Sequence, residues 1–445
     1  MTKILIIGAG RSATSLIEYL LQLSATYDWR ITVADVDVNL AQQKIGNHPN
    51  GTATSFDIRN EEQRRFIVSQ HDFIISMLPA FMHGDVARDC VEFGKHMATA
   101  SYVSADMRAL EGEARKKNIL LLNECGLDPG LDHASAMKMI DDIRQGGGEI
   151  VAFRSFCGGL VAPESNNNPW GYKFSWNPRN VVLAGQGTAQ YIEEGEVKFI
   201  PYHRLFTQTQ VIETETHGLF DAYANRDSIS YMDVYGLKDV QTMLRGTLRQ
   251  HGYCKAWNVF VQLGLTDDTS RVVHANRYSY TSLIESFLPP GKGSLRERLK
   301  NYMGTGWDDE IEQMLDYLEI FSDKKINIAE GTPAQILQVL LEEKWKLMPG
   351  DKDMIVMEHQ FEYSISDLPG TLLRLKSSLV VTGKDESHTA MALTVGLPLA
   401  ITVKNFLAGN FSLNGVQIPN KRVIYEPMLK ELEEQGIVFH ERLMK

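Results

Sequence analysis

From Met1 to Glu124 the chain alternates between two hydrophobic periods. Lys3-Ile4-Leu5-Ile6-Ile7 is a short β-type run leading into Gly8-Ala9-Gly10-Arg11-Ser12-Ala13, and Ser15 to Leu21 continues with helical spacing. A second β run, Arg30 to Ala34, ends at Asp35. The alternation then continues: strand Thr52 to Phe56, helix Glu61 to Ser69, strand Phe73 to Ser76, helix His83 to Phe93, strand Met97 to Ala100, helix Ala105 to Lys117, strand Ile119 to Asn123. Strands separated by helices predict an α/β fold with a doubly wound parallel sheet of about six strands, closing near residue 124.

Past Gly146-Gly147-Gly148 the pattern changes. Glu149 to Phe156, Val197 to Ile200, Gln208 to Glu213, Met354 to Ile365 and Leu372 to Val381 read as strands among glycine- and asparagine-rich loops, the last two joined through Asp367-Leu368-Pro369-Gly370. These predict a second, α+β domain over 125–290 and 351–387 with a mixed or antiparallel sheet. Residues 291–350 read as a small helical lid, broken near Gly304 to Gly306 and Gly331 to Pro333. The apolar stretch from His388 to Leu407 and a charged helix from Pro427 to Gln435 predict C-terminal helices, over 388–445, that pack back on the core.

Composition narrows the class. Forty-five basic against 56 acidic residues give a net charge of −11, which disfavours nucleic acid or an anionic membrane as partner, so an anion site needs a local arginine cluster. Cys90, Cys125, Cys157 and Cys254 form no CxxC pair, and nothing before Lys3 resembles a signal peptide, so reduced thiols in a cytoplasmic protein with no metal are expected. The longest apolar run, Met391 to Val403, is shorter than a membrane span and contains Gly396 and Pro398, which favours a buried helix.

Candidate chemistry begins at the first turn. Gly8 allows a tight turn, Gly10 leaves room for a pyrophosphate, and Ala13 lets the helix pack close, so free N–H groups at the helix start face phosphate. Asp35, 22 positions beyond Ala13, stands where such a fold places the acid that binds the adenosine ribose. Ligands of a doubly wound sheet lie beyond the carboxyl ends of its strands, which selects Ser76 to Pro79, Ser101 to Ser104 and Glu124 to Gly130. Asp128 either caps the helix that begins near Asp132 or binds a substrate amine. On a strand, Arg245, Thr247 and Arg249 share one face that suits a carboxylate-rich ligand, the alternative being solvated surface arginines. Asn225 and Asp227 mark a turn that presents Arg226, whereas Glu164, Lys173 and His133 receive no role.

Seven blocks then carry a resemblance: Thr99 to Ser104, Asn123 to His133, Ser155 to Leu160, Ala162 to Ser165, Asn168 to Trp176, Asn225 to Ser228 and Arg245 to Arg249. In sequence and order they resemble the glutamate-forming saccharopine dehydrogenase (saccharopine reductase) family over nearly the whole chain. The resemblance implies a Rossmann domain, a second domain that binds saccharopine and forms a homodimer, and a helical third domain. It implies substrate contacts at Ser101, Tyr102, Asp128, Arg226, Thr247, Leu248 and Arg249. It places the cofactor site at Gly8, Gly10, Arg11, Ser12, Ala13, Asp35, Asp57, Ile58, Ser76, Met77, Cys125 and Trp176. The implied reaction oxidises the CH–NH bond of saccharopine to an imine, hydrolysed to glutamate and 2-aminoadipate semialdehyde, or runs in reverse. The secondary amine must lose its proton first, and Asp128 and Tyr102 are the candidate acceptors.

Two alternatives stand beside this reading: a related dehydrogenase of carboxynorspermidine or lysine, and a non-catalytic dinucleotide sensor. For the cofactor, Val36 replaces the arginine that NADP-using fungal members carry after the second strand. Asp35 suits the two ribose hydroxyls of NAD and would repel a 2′-phosphate, so NAD is expected over NADP, with Arg11 able to neutralise a phosphate.

Overall fold

The computed structural model describes residues 1–214, 217–368 and 370–444; Pro369, in the turn expected between the last two long strands, lies outside the described residues. The chain divides into two compact units. The first comprises 1–150, 234–236 and 362–445, and the second 151–233 and 237–361. The chain passes from the first to the second within the strand Gly148–Val161 and returns within Asp353–Ile365.

The first unit is built on strands β1 (Thr2–Ile7), β2 (Trp29–Asp35), β3 (Gly51–Ser55), β4 (Phe73–Ser76), β5 (His96–Thr99) and β6 (Leu120–Leu122). Their order across the sheet is β6-β5-β4-β1-β2-β3, every pair parallel. The intervening helices are α1 (Thr14–Ser24), α2 (Val38–Ile45), α3 (Glu61–Ser69), α4 (His83–Phe93), α5 (Ala105–Ala109) and α6 (Glu111–Lys116). Alternation along β1 sends Leu5 and Ile7 into one core, where they meet Val86, Ala87 and Cys90 of α4 and Ala114 of α6. The apolar helix Ala390–Leu407 packs against α1 so closely that a Cβ on Gly396 would sit 2.8 Å from the Leu16 nitrogen. That helix is long and apolar enough to cross a membrane, yet most of it is buried within this unit.

Three expectations are corrected here. A seventh parallel strand, Gly415–Gln417, joins the sheet beside β6; three residues carry too little periodicity to be read as a strand. The expected helix Ala105 to Lys117 is two, α5 and α6, meeting at Leu110. The charged helix starts at Arg422 rather than Pro427, which sits inside it.

The second unit holds a mixed sheet with strands in the order Gln210–Thr214, Gly218–Ala224, Thr242–Gln250, Gly148–Val161, Asp353–Ile365. The central strand Thr242–Gln250 runs antiparallel to Gly218–Ala224 and parallel to Gly148–Val161. Residues 291–350, expected as a separate lid, group with this unit. Their helices Leu295–Met303 and Pro333–Lys344 start with reciprocal Ser294/Glu297 and Thr332/Gln335 capping boxes. Their apolar faces are buried at Leu299, Ile311, Met314, Leu315, Ile336 and Leu340, and the indole of Trp170 donates to the Met314 carbonyl at 2.7 Å.

Candidate functional site

In the first unit β1 ends in a turn that only glycine fits at its first position. Gly8 has φ +104°, and a Cβ there would lie 2.9 Å from the Met77 carbonyl oxygen. Gly10 is the opposite case: a Cβ there meets nothing within 4 Å, which leaves approach space for a ligand. The turn continues through a short 3-10 helix, Arg11–Ala13, into α1 with no side-chain cap and no acidic residue in the first turn. Open space beside uncapped N–H groups fits a dinucleotide pyrophosphate.

Asp35 behaves differently from the expectation. Its Oδ2 accepts from the Ala9 nitrogen at 2.7 Å and its Oδ1 from the Asp37 nitrogen at 3.0 Å, so the carboxylate fastens the glycine turn to the end of β2. After β3, Asp57 forms a bidentate pair with Arg59, which lowers the Asp57 pKa below the usual carboxylate value. Ile58 is buried beside it. Cys125 turns its sulfur into the core, donating to Thr402 Oγ1 at 3.3 Å; burial pushes the thiol up to about 12, so any cofactor contact runs through its main chain.

The ends of β4, β5 and β6 bring a set of polar groups together. Ser76, His83, Thr99 and Ser101 are linked: His83 Nδ1 lies 2.8 Å from Ser76 Oγ, and Nε2 lies 2.8 Å from Ser101 Oγ and 3.2 Å from Thr99 Oγ1. Burial pushes the His83 pKa down to about 4, so the ring is neutral at pH 7. Next along the loop, the Tyr102 hydroxyl donates to Asp128 Oδ1 at 3.1 Å. Asp128 therefore does not cap the following helix, α7 (Leu131–Gln145); Asp132 Oδ1 accepts from the Gly130 nitrogen at the start of that helix instead.

A second buried chain braces these loops. Glu124 Oε1 accepts from the Val103 nitrogen at 2.9 Å, its Oε2 lies 2.9 Å from His133 Nε2, and His133 Nδ1 lies 2.7 Å from the Tyr235 hydroxyl. Glu124 thus ties its own loop, which carries Asp128, to the loop that carries Tyr102, and His133 holds the Glu124 carboxylate in place from α7. Sequence reasoning missed both His83 and Glu124, although each lies in or just beyond a segment at a strand's carboxyl end.

In the second unit the strand Thr242–Gln250 presents Arg245, Thr247 and Arg249 at alternate positions. Both arginines are buried, at 2% and 3% exposure, which removes the solvated-surface alternative. The Arg245 guanidinium stacks 4.0 Å from the Tyr231 ring. That of Arg249 lies among Tyr172, Tyr223 and Tyr253, at 5.4–5.7 Å from the ring centres, and donates to the Leu248 carbonyl and the Tyr223 hydroxyl. Its Nε has no hydrogen-bond partner, and no carboxylate of the described residues pairs with it. A permanent cation this buried and this incompletely satisfied can pair with an anionic ligand.

Thr247 donates to Asn225 Oδ1 at 2.7 Å, and Leu248 is fully buried. Arg226 is exposed on a turn closed by Asp227, which accepts from the Ser230 nitrogen at 3.0 Å. Trp176 is half-buried and donates to the Tyr172 hydroxyl at 3.2 Å. Lys173, buried, pairs with Asp351 at 2.6 Å and is structural, and Glu164 lies 3.5 Å from Lys352.

A doubly wound sheet with an uncapped glycine turn, and polar groups at the adjoining strand ends, defines a protein of the dinucleotide-binding class. Residues 4–122 match the saccharopine dehydrogenase NADP-binding domain and residues 126–437 the saccharopine dehydrogenase C-terminal domain. The chain belongs to the saccharopine dehydrogenase family. It is 32% identical to the NADP(+), L-glutamate-forming saccharopine dehydrogenase of Schizosaccharomyces pombe, covering 100% of this chain and 99% of that one. The enzyme of the same name from Saccharomyces cerevisiae is also 32% identical, over 99% of both chains. The mitochondrial alpha-aminoadipic semialdehyde synthase of Mus musculus is 34% identical over 98% of this chain and 47% of its own length. The solved apo saccharopine dehydrogenase (L-Glu forming) from Saccharomyces cerevisiae superimposes with a TM-score of 0.90 at 31% identity, covering 100% of both chains.

The NAD preference drawn from Asp35 is overturned by these matches, since the N-terminal domain is of the NADP-binding kind and the fungal relatives bear NADP(+) in their names. The physical reason is in the structure. Both oxygens of Asp35 already accept main-chain N–H groups, so its charge is spent on the turn rather than presented to a ribose.

Proposed function

We propose that this protein catalyses NADP-linked oxidation of saccharopine at its CH–NH bond, giving L-glutamate and 2-aminoadipate 6-semialdehyde, or the reverse reductive condensation. The observation that carries the reading is Arg249, a buried guanidinium with an unsatisfied Nε and no carboxylate partner among the described residues. Saccharopine brings three carboxylates, and a desolvated arginine fork is the group that recognises one of them. The names of the fungal relatives support the substrate and the cofactor.

Bound NADP supplies the hydride acceptor. The turn at Gly8 and Gly10 and the N–H groups of Arg11 and Ser12 would hold its pyrophosphate, with Ala13 allowing close packing behind them, and Arg11 stands in the same turn as a cation for the 2′-phosphate. The chain's own residues do the rest. Arg249, with Arg226, binds carboxylate. Asp128 accepts the proton of the secondary ammonium, because a protonated amine has no lone pair to expel hydride, and the Tyr102 hydroxyl holds that carboxylate in place through its 3.1 Å bond. After water adds to the imine, the same pair returns a proton to the departing amine of glutamate. A cytoplasmic homodimer is part of the same proposal, checked by solution mass and by cell fractionation.

The test is NADP reduction with saccharopine against carboxynorspermidine and lysine, with glutamate identified as product. Saccharopine should give the highest kcat/KM; faster turnover of either competitor, or NADP binding without turnover of any, would refute the proposal.

A further inference from the structure

Among the described residues of the first unit, His83 is the buried histidine that joins two groups given separate tasks, Ser76 on the cofactor side and Ser101 on the substrate side. It opens α4, immediately beyond the carboxyl end of β4, and is 3% exposed. Its three polar neighbours are all hydroxyls: Ser76 at Nδ1, and Ser101 and Thr99 at Nε2. Among the described residues no carboxylate or cation bonds to the ring, and with its pKa near 4 it carries one N–H and one lone pair.

That inventory couples the hydroxyls. If Nδ1 donates to Ser76 Oγ, Nε2 must accept from Ser101 or Thr99; if Nε2 donates, Ser76 must donate to Nδ1. Through the closer of the two Nε2 contacts, Ser101 at 2.8 Å against Thr99 at 3.2 Å, the hydrogen of one serine hydroxyl is directed by the state of the other. The surrounding backbone makes the coupling rigid, since the Ser101 nitrogen donates to Thr99 Oγ1 at 3.3 Å and the Ser101 carbonyl accepts from the Glu124 nitrogen at 2.9 Å.

We propose that His83 is a positioning residue, whose imidazole sets the hydroxyl of Ser76 for the cofactor and the hydroxyl of Ser101 for the substrate as one coupled arrangement. The role of Ser101 rests on the saccharopine reading above, whereas that of Ser76 needs only cofactor binding.

Two amide replacements divide the ring. Asparagine places its amide near the position of Nδ1 and keeps the bond to Ser76; glutamine reaches the position of Nε2 and keeps the bond to Ser101. The experiment measures NADPH affinity by fluorescence titration without substrate, KM and kcat for saccharopine, and thermal stability, in His83→Asn, His83→Gln and His83→Phe. The expected result is a crossed pattern. His83→Asn should hold NADPH affinity near wild type and raise the saccharopine KM about fivefold; His83→Gln should do the reverse, each shift being that of one lost hydrogen bond. His83→Phe should impair both.

Any uncrossed pattern overturns the proposal, whether the two amides both resemble wild type or both resemble His83→Phe. A fall in both readouts that merely tracks lost stability does so as well. If wild-type protein binds NADPH but does not turn over saccharopine, the functional reading falls, while the Ser76 arm of the titration still decides this one.

Discussion

In the proposed reaction Arg249 is the residue on which recognition turns, and its burial makes an unusual prediction. Removing a charge-assisted contact should raise the saccharopine KM roughly 10- to 100-fold in Arg249→Met, with NADPH affinity unchanged. Because the free protein holds that guanidinium without a carboxylate, the same change should leave the ligand-free melting temperature equal or higher. A KM unchanged by the substitution would remove Arg249 from the site. Arg11 makes the parallel case for the cofactor: Arg11→Ser should lower kcat/KM for NADP about tenfold and leave that for NAD nearly unaltered, one charge-assisted contact being at stake. Equal losses with both cofactors would mean that Arg11 serves the turn and not the 2′-phosphate. At this scale the residue types were legible in the sequence and their states were not. Arg245 and Arg249, four apart on a strand, announce a shared face, but only the packed aromatic rings reveal that Arg249 is buried. Asp35 shows the limit from the other side, since nothing in a linear motif tells that its oxygens are taken by Ala9 and Asp37.

Among the elements, the glycine turn after β1 is the most constrained. Gly8→Ala forces a side chain into positive φ and against the Met77 carbonyl, so NADPH affinity should fall at least tenfold, and stability by about 1–3 kcal/mol. NADPH affinity within twofold of wild type, read by titration, would contradict the close approach. The elements themselves were largely readable: α3, β4 and α4 begin and end where the hydrophobic period places them. The exceptions have physical causes. The strand Gly415–Gln417 is held by pairing with β6, a long-range contact that no local pattern records. The helix Arg422–Glu434 carries Pro427 inside it, at the cost of one i→i−4 hydrogen bond, so a proline that reads locally as a helix start is instead held within a helix by the burial of Ile424, Tyr425, Met428, Leu429 and Leu432.

The whole molecule also carries a pH signature. His83 is held near pKa 4 by burial, and burial lowers His71 and His96 as well. A histidine whose pKa is depressed in the folded state favours the unfolded chain as it protonates. His83's contribution to stability is therefore complete above its ordinary value of 6.5 and is lost as pH falls from there to about 4. The loss is of order 3 kcal/mol for this residue alone. Urea denaturation of wild type and His83→Asn across that window should show a shallower slope in the variant; parallel curves would mean that the ring is not buried neutral. The two compact units each carry part of the set of candidate residues. The first holds the dinucleotide turn and the Tyr102–Asp128 pair, and the second holds the arginine-bearing strand. The sequence showed the change of pattern near Gly148 and led to the expectation that 388–445 packs back on the core, but it did not show that the return to the first unit begins at Glu362. That return is made by the packing of the helix Ala390–Leu407 on α1.

The central claim is tested most directly in the reductive direction, by following NADPH consumption with L-glutamate and 2-aminoadipate 6-semialdehyde supplied singly and together. The account predicts that oxidation of NADPH requires both, with one saccharopine formed for each NADPH consumed. NADPH oxidation with the semialdehyde alone would mark a simple aldehyde reductase, and none with both present would mark a binding protein; either result would contradict the account.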